Sequence, residues 1–131
     1  MSVLDTLARA RFILLTTFRR DGTPVATPVA HAVADGIVYT STGADTGKVK
    51  RLRRDARVTV AACDLRGRTT GPAIEAVGRV LTGPEAERAI RLKEARNVLS
   101  RTRRMYEVHL RGHTFVGIAI HPADVPSTRP S

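Results

Sequence analysis

Residues 36–64, GIVYTSTGADTGKVKRLRRDARVTVAACD, hold the densest concentration of groups able to engage a charged ligand. Two strand-like runs flank a short basic segment that opens with Thr46-Gly47-Lys48. Tyr39, Ser41 and neighbouring hydroxyls end the first run. Asp45 or Thr46 can cap a helix whose free N–H groups and positive dipole end suit a phosphate, with Lys48 in its first turn. The plain alternative is a solvated basic helix between two strands. A nucleotide triphosphatase is excluded: its phosphate loop needs four residues between the glycines and Ser or Thr after the Lys. Here Gly43 and Gly47 enclose three residues, and Val49 follows Lys48. A glycine-rich dinucleotide loop is absent as well.

Other chemistries are poorly supported. His109 and His113 have metal-ligand spacing only on a helix, whereas the alternating run around them predicts a strand. With one cysteine and no third clustered ligand, a zinc site is not expected. His31 and His121 read as ordinary surface or interface histidines. Cys63 lies among apolar strand residues beside Asp64, surroundings that raise a thiol pKa and predict a buried, inert side chain. Ser41, Ser100 and Ser127 have no neighbouring His and acid, so nucleophilic catalysis is unsupported. What remains is binding of an anionic ligand, with any catalysis supplied by a cofactor.

The elements that must position these groups follow from periodicity and punctuation. Ser2 caps a short helix over 2–10, and FILLTTF at 12–18 is an apolar strand. Asp21-Gly22 turns the chain into an extended run at 25–33, which Pro24 and Pro28 interrupt and push towards a sheet edge. Asp35-Gly36 returns it into a strand at 37–42. Beyond the basic helix, 58–65 and 73–82 read as strands separated by the loop RGRTTGP, with Gly78 a candidate bulge. Pro84 starts a helix to about Met105 with an apolar stripe of Ile90, Leu92, Ala95, Val98 and Leu99. A last strand over 106–120 bends near Gly112 or Gly117, and the tail 122–131 frays. Hairpin-type links around inserted helices predict a mainly β fold, a six-stranded antiparallel barrel, in one domain spanning 1–131.

Composition narrows the ligand. With 131 residues and 42% hydrophobic content, the chain can bury a single core. Aromatic side chains make up only 4% with no Trp, which disfavours holding a base or ring by stacking. One Cys and no secretory-type start lead to the expectation of a cytoplasmic protein, and no apolar run approaches the roughly 20 residues that span a bilayer. The formal charge is +10, and two segments carry it. Residues 48–57 hold six basic side chains against Asp55, residues 88–104 hold seven against Glu94, and the remainder is close to neutral. Focused charge of this kind favours a polyanionic partner: an anionic cofactor, nucleic acid or an acidic surface.

From Phe12 to about Val80 the chain resembles the pyridoxamine phosphate oxidase-like split-barrel flavoproteins, in particular an actinobacterial branch that uses the deazaflavin coenzyme F-420. The resemblance rests on LLTTFRRDGTPVATPV, YTSTGADTGKVKRLRRDARVTVAACD and RGRTTGPAIEAVGRVL, in that order and spacing. It implies a homodimer with the cofactor in a cleft between subunits. Thr27, Pro28 and Val29 would border the ring; Ser41, Thr42, Lys48 and Arg51 would hold phosphate. Ala62, Cys63 and Asp64 would line the neighbouring strand, and Gly71 and Pro72 would reach the partner's cofactor. The implied activity is hydride transfer between the reduced coenzyme and a small unsaturated or heteroaromatic substrate, with a proton from solvent or a polar neighbour such as His31. The outlying arginines match the phosphodiester and oligoglutamate tail of the deazaflavin better than the single phosphate of FMN, which is the alternative cofactor. A non-catalytic coenzyme carrier and, less favoured, a nucleic-acid-binding module are the competing functions. Where many relatives carry a bulky aromatic after the proline equivalent to Pro28, this chain has Ala30-His31-Ala32.

Overall fold

A computed structural model describes residues 2–123, apart from the side chains of Val98, Ser100, His109, Leu110 and Arg111. The expected fraying of 122–131 therefore lies mostly outside the described residues. Its first two members are held: Pro122 pairs with Ala76, and Ala123 N–H donates to the Glu75 carbonyl at 2.9 Å.

Helix α1 spans Val3–Arg9. It begins where Ser2 predicts, with a reciprocal cap: Asp5 N–H donates to Ser2 Oγ at 3.1 Å, and Ser2 N–H to Asp5 Oδ2 at 3.3 Å. Strands β1 (Phe12–Phe18), β2 (Pro24–Ala30), β3 (Ala32–Ala34) and β4 (Ile37–Gly43) follow, then α2 (Gly47–Arg54), β5 (Arg57–Cys63) and β6 (Ile74–Leu81). Helices α3 (Gly83–Arg96) and α4 (Val98–Arg111) precede β7 (Phe115–Pro122). All strand pairs are antiparallel, in the order β2-β1-β5-β6-β7-β4-β3.

The sheet has seven strands rather than six because the run 25–33 divides at His31. Strands β2 and β3 are separated by that one residue yet occupy opposite ends of the sheet, so the sheet must curl until its edges approach. The Thr40 hydroxyl ties this seam by donating to the Ala30 carbonyl at 2.7 Å. Inside the curl, Ile13 and Leu15 from β1 meet Val38 from β4, Val58 and Val60 from β5, and Ile118 and Ile120 from β7, all essentially inaccessible to solvent. Each contributes about 1.5–3 kcal/mol by leaving water.

Two sequence expectations fail at the helices. The run 106–114 is not strand: α4 continues to Arg111, and β7 begins only at Phe115. The apolar–polar alternation of Tyr106 to Arg111 is short and continues the preceding helix instead, and Gly112, at φ +70°, ends the helix where a β-branched residue would be strained. The expected single helix breaks at Asn97, so that α4 folds back on α3. The buried stripe of α3 is Ala86, Ala89 and Lys93; Ala95 and Leu99 of the expected stripe are exposed. Small residues serve here because α3 lies close on β7: a Cβ on Gly117 would come within 2.9 Å of Ala89 Cβ. Gly78 is likewise no bulge. Its pairing with Ile120 is in register, and a Cβ there would meet Leu52 of α2 at 2.8 Å.

Candidate functional site

A cleft of about 530 Å³ opens between β2, β4, the start of α2 and the α3–α4 elbow. One wall is edge strand β2, where Thr27, Pro28, Val29 and Ala30 border the space. The other is the end of β4, Ser41-Thr42-Gly43, running into Thr46 and Lys48. Phe12 and Phe115 contribute apolar surface, and Leu65, 71% exposed, and Leu99, 78% exposed, stand at its margin.

Thr46 occupies the N-cap of α2 without a side-chain capping bond, so first-turn N–H groups remain available to a ligand. Its hydroxyl instead lies 3.5 Å from that of Thr42. Lys48 is half-buried and lines the cleft. Burial, and after it the charges of Arg51 and Arg103, hold its pKa below the ordinary lysine value.

Opposite Lys48 is Lys93, a residue that sequence reasoning left in a general basic field. It is 9% exposed, lines the cleft, and donates from Nζ to the Ser41 carbonyl at 2.9 Å and the Ser41 hydroxyl at 3.2 Å. Burial lowers its pKa to about 8; Glu94 opposes this, while Lys48 and Arg103 add to it. The available signal was phase: a lysine four residues beyond Ala89 and three beyond Ile90 falls on the face that packs against the sheet. Arg103 of α4 completes a trio of cations. Among the described residues, neither the Lys48 nor the Arg103 side chain forms a hydrogen bond or ion pair within the chain. The acids at the cleft are engaged: Glu94 receives Arg104 in a two-pronged pair, and Glu107 Oε2 lies 2.6 Å from His113 Nδ1. Three mutually repelling cations without a facing free carboxylate make an anion the complementary ligand.

Of the residues expected at the site, Thr27, Pro28, Val29, Ser41, Thr42 and Lys48 meet in this cleft. Arg51 turns away from it. Its Nε donates to the buried Thr17 hydroxyl at 2.6 Å, and its guanidinium packs over Gly47, where a Cβ would lie 2.6 Å from Nη1. Ala62 and Cys63 are buried in β5, paired with Ile13 and Phe12 of β1, one strand removed from the β2 wall. The Cys63 thiol is pushed up by burial and by Asp64, as the sequence suggests. Asp64 accepts from the Arg66 and Arg68 N–H groups and from Arg68 Nε at 2.8–2.9 Å, which folds the following loop. Gly71 packs near Thr6 and Ala62, with Pro72 exposed beside it. None of these six lines the cleft of the single chain.

His31 is not a surface residue. It is 1% exposed, and its Nε2 lies 2.6 Å from the Leu7 carbonyl, which fixes Nε2 as the donor and leaves Nδ1 without a partner. Burial drives its pKa down to about 4. It does not line the cleft, and near neutral pH it carries no imidazolium proton to deliver there. His109 lies in helix α4 rather than in a strand, with His113 beyond the helix end. Among the described residues no group of three or more His, Cys, Asp or Glu is placed to hold a metal ion, and no helix is long and apolar enough to cross a membrane.

The curled antiparallel sheet and its basic cleft agree with a family match over residues 2–125: the chain belongs to the pyridoxamine 5'-phosphate oxidase family. Among solved structures it is similar to a conserved hypothetical protein from Mycobacterium tuberculosis, with 25% identity, a TM-score of 0.72, and coverage of 100% of this chain and 92% of that one. An F-420 reductase shares the fold at 16% identity, with a TM-score of 0.62 and 94% of each chain covered. So does HutZ, the heme storage protein from Vibrio cholerae, at 11% identity, with a TM-score of 0.61 and coverage of 92% and 87%. No match was found among curated proteins. One fold thus serves a reductase and a storage protein, and function must be argued from the cleft.

Proposed function

We propose that this chain is an oxidoreductase of its family that uses coenzyme F-420, exchanging a hydride with a small unsaturated or heteroaromatic substrate as a homodimer. The observation that carries this reading is the meeting of Lys48, Lys93 and Arg103 in one cleft beside the β2 edge. The donor set fits the coenzyme. Lys48, the start of α2 and the hydroxyls of Ser41, Thr42 and Thr46 suit its phosphodiester, and the remaining cations suit its carboxylates. FMN, with one phosphate, uses fewer of them.

When bound, the deazaflavin supplies the hydride chemistry. The chain's residues bind and orient: Thr27, Pro28 and Val29 offer strand backbone to a flat ring, and Phe12 and Phe115 exclude water. A proton that accompanies the hydride comes from solvent or from a group lining the cleft, since His31 lies elsewhere. In a dimer, the Gly71-Pro72 loop reaches the partner's cofactor, while Ala62, Cys63 and Asp64 support the site from the neighbouring strand β5. Arg88, Arg96 and Arg104 are engaged within the chain, so the second basic segment does not offer an unbroken cationic face to nucleic acid.

Titrating the purified protein into the fluorescent deazaflavin tests the reading. Saturable quenching is expected, and its absence ends the proposal. Tighter binding of FMN in a parallel titration would reverse the cofactor ranking. Binding without turnover across a panel of enones, quinones and nitroaromatics would make the protein a coenzyme carrier.

A further inference from the structure

Lys93 has a second property that anion binding does not use. A neutral amine has two N–H donors and one lone pair, and Lys93 Nζ already has two acceptors, the carbonyl and hydroxyl oxygens of Ser41. The buried α3 stripe and the β4 end therefore fix Nζ by two donated hydrogen bonds and leave one further position on nitrogen, a proton in the ammonium and the lone pair in the amine, at the wall of a cleft large enough for a small molecule. Lys48 and Arg103 flank it as uncompensated positive charges.

We propose that Lys93 is a reactive amine that forms an imine with small aldehydes bearing a carboxylate or a phosphate. The flanking cations draw in the anionic group, and the lone pair of Nζ adds to the carbonyl carbon. A C–N bond forms as the C=O π pair moves to oxygen, and a proton passes from nitrogen to that oxygen to give a carbinolamine. Loss of water, with a proton from solvent added to the departing hydroxyl, gives the protonated imine, which returns that proton to solvent as the neutral imine forms. No oxidant or reductant is consumed. Glu94 is paired with Arg104 and Glu107 with His113, so neither carboxylate bonds the amine directly, and the charge of Glu94 offsets only part of the lowering by burial. A pKa of about 8, set chiefly by burial, gives Lys93 a far larger neutral fraction at pH 7.5 than a solvated lysine has. The inference does not depend on which coenzyme the cleft takes.

The chain contains three lysines, Lys48, Lys50 and Lys93, and Lys50 is exposed, which makes it an internal control. Treat the full chain with 4-formylbenzoate and sodium cyanoborohydride at pH 7.5 and map the reduced adduct by mass spectrometry. Lys93 is expected to label roughly tenfold faster than Lys50, the gain from the larger neutral fraction being partly offset by lower basicity. Its rate should rise with pH and level off above about 8. Benzaldehyde, which lacks the anion, should show a smaller preference for Lys93, and inorganic phosphate should slow labelling of Lys93 by 4-formylbenzoate without affecting Lys50. Equal or slower labelling of Lys93 overturns the inference, as does a preference for Lys93 that is the same for both aldehydes. Since the comparison is made within the wild-type chain, it survives even if Lys93→Arg fails to fold. A protein that binds the deazaflavin but leaves Lys93 unlabelled would sink this inference and leave the proposed function standing.

Discussion

The two basic segments have nearly the same excess of charge, but the fold uses them differently. In the first, only the opening turn of α2 faces the cleft, through Lys48. Arg51 and Arg54 reach across to the end of β1, at the Thr17 hydroxyl and the Phe18 carbonyl, and Arg57 lies 4.3 Å over the Phe18 ring. In the second segment, Arg88 binds the Tyr39 hydroxyl at 3.0 Å, Arg96 reaches the His31 carbonyl at 3.2 Å, and Arg104 locks α4 onto Glu94 of α3. Only Lys93 and Arg103 are left as cations towards the ligand. Several of the basic residues that looked like a field for a partner, Arg51, Arg54, Arg88 and Arg96 among them, are thus anchors that tie helices to the sheet. The cleft's positive field comes from three residues, one on each of three helices.

That division can be broken by substitution. Glu94→Gln carries the largest expected effect. Its side chain is 10% exposed and Arg104 is 26% exposed, so removing the carboxylate charge should destabilise the fold by about 3 kcal/mol in urea denaturation. A loss below about 1 kcal/mol would place Arg104 among the free cations instead.

Acidification tests the same seam from the other side of α3. The folded-state pKa of His31 is about 4 against an ordinary 6.5, so between those values the unfolded chain binds more protons than the folded one. This contribution is complete above pH 6.5 and is lost as pH falls through about 4, amounting to about 3 kcal/mol. His31→Gln should flatten the slope of stability against pH in that window. An unchanged slope would mean that His31 is not the group responsible.

Lys48→Ala and Arg51→Ala separate the two roles within one helix. Lys48→Ala should weaken deazaflavin binding by about tenfold to a hundredfold while leaving the denaturation midpoint in place. Arg51→Ala should do the opposite, costing about 1.5 kcal/mol of stability through the orphaned Thr17 hydroxyl, with less than about a threefold change in Kd. Equal effects of both on Kd would show that Arg51 swings into the cleft when ligand binds.

Much of the β framework was legible in the sequence because its signals are local. The two Asp-Gly turns, the period-2 burial of Ile13, Leu15 and Thr17, and the Ser2 cap all lie within a few residues of what they determine. The error at 106–114 arose because Tyr106 to Arg111 alternate apolar and polar as a strand does, although the packing of α4 on α3 holds them in a helix. The division at His31 was missed for a related reason. An extended run looks the same whether its halves pair with one neighbour or with the two far edges of a curled sheet.

The sequence by itself determined that the chain is a mainly β protein with concentrated positive charge and a phosphate-suited turn at Thr46-Gly47-Lys48. It also placed Thr27, Pro28, Val29, Ser41 and Thr42 near that turn through family resemblance. Only the tertiary structure decided which cations face a ligand. It drew Lys93 in from a helix 45 residues beyond Lys48, turned Arg51 away from the cleft to the buried Thr17, and buried His31 beneath α1. The physical reason is that charge is a property of composition, whereas its direction depends on helical phase and on which acceptors the fold brings within hydrogen-bonding reach.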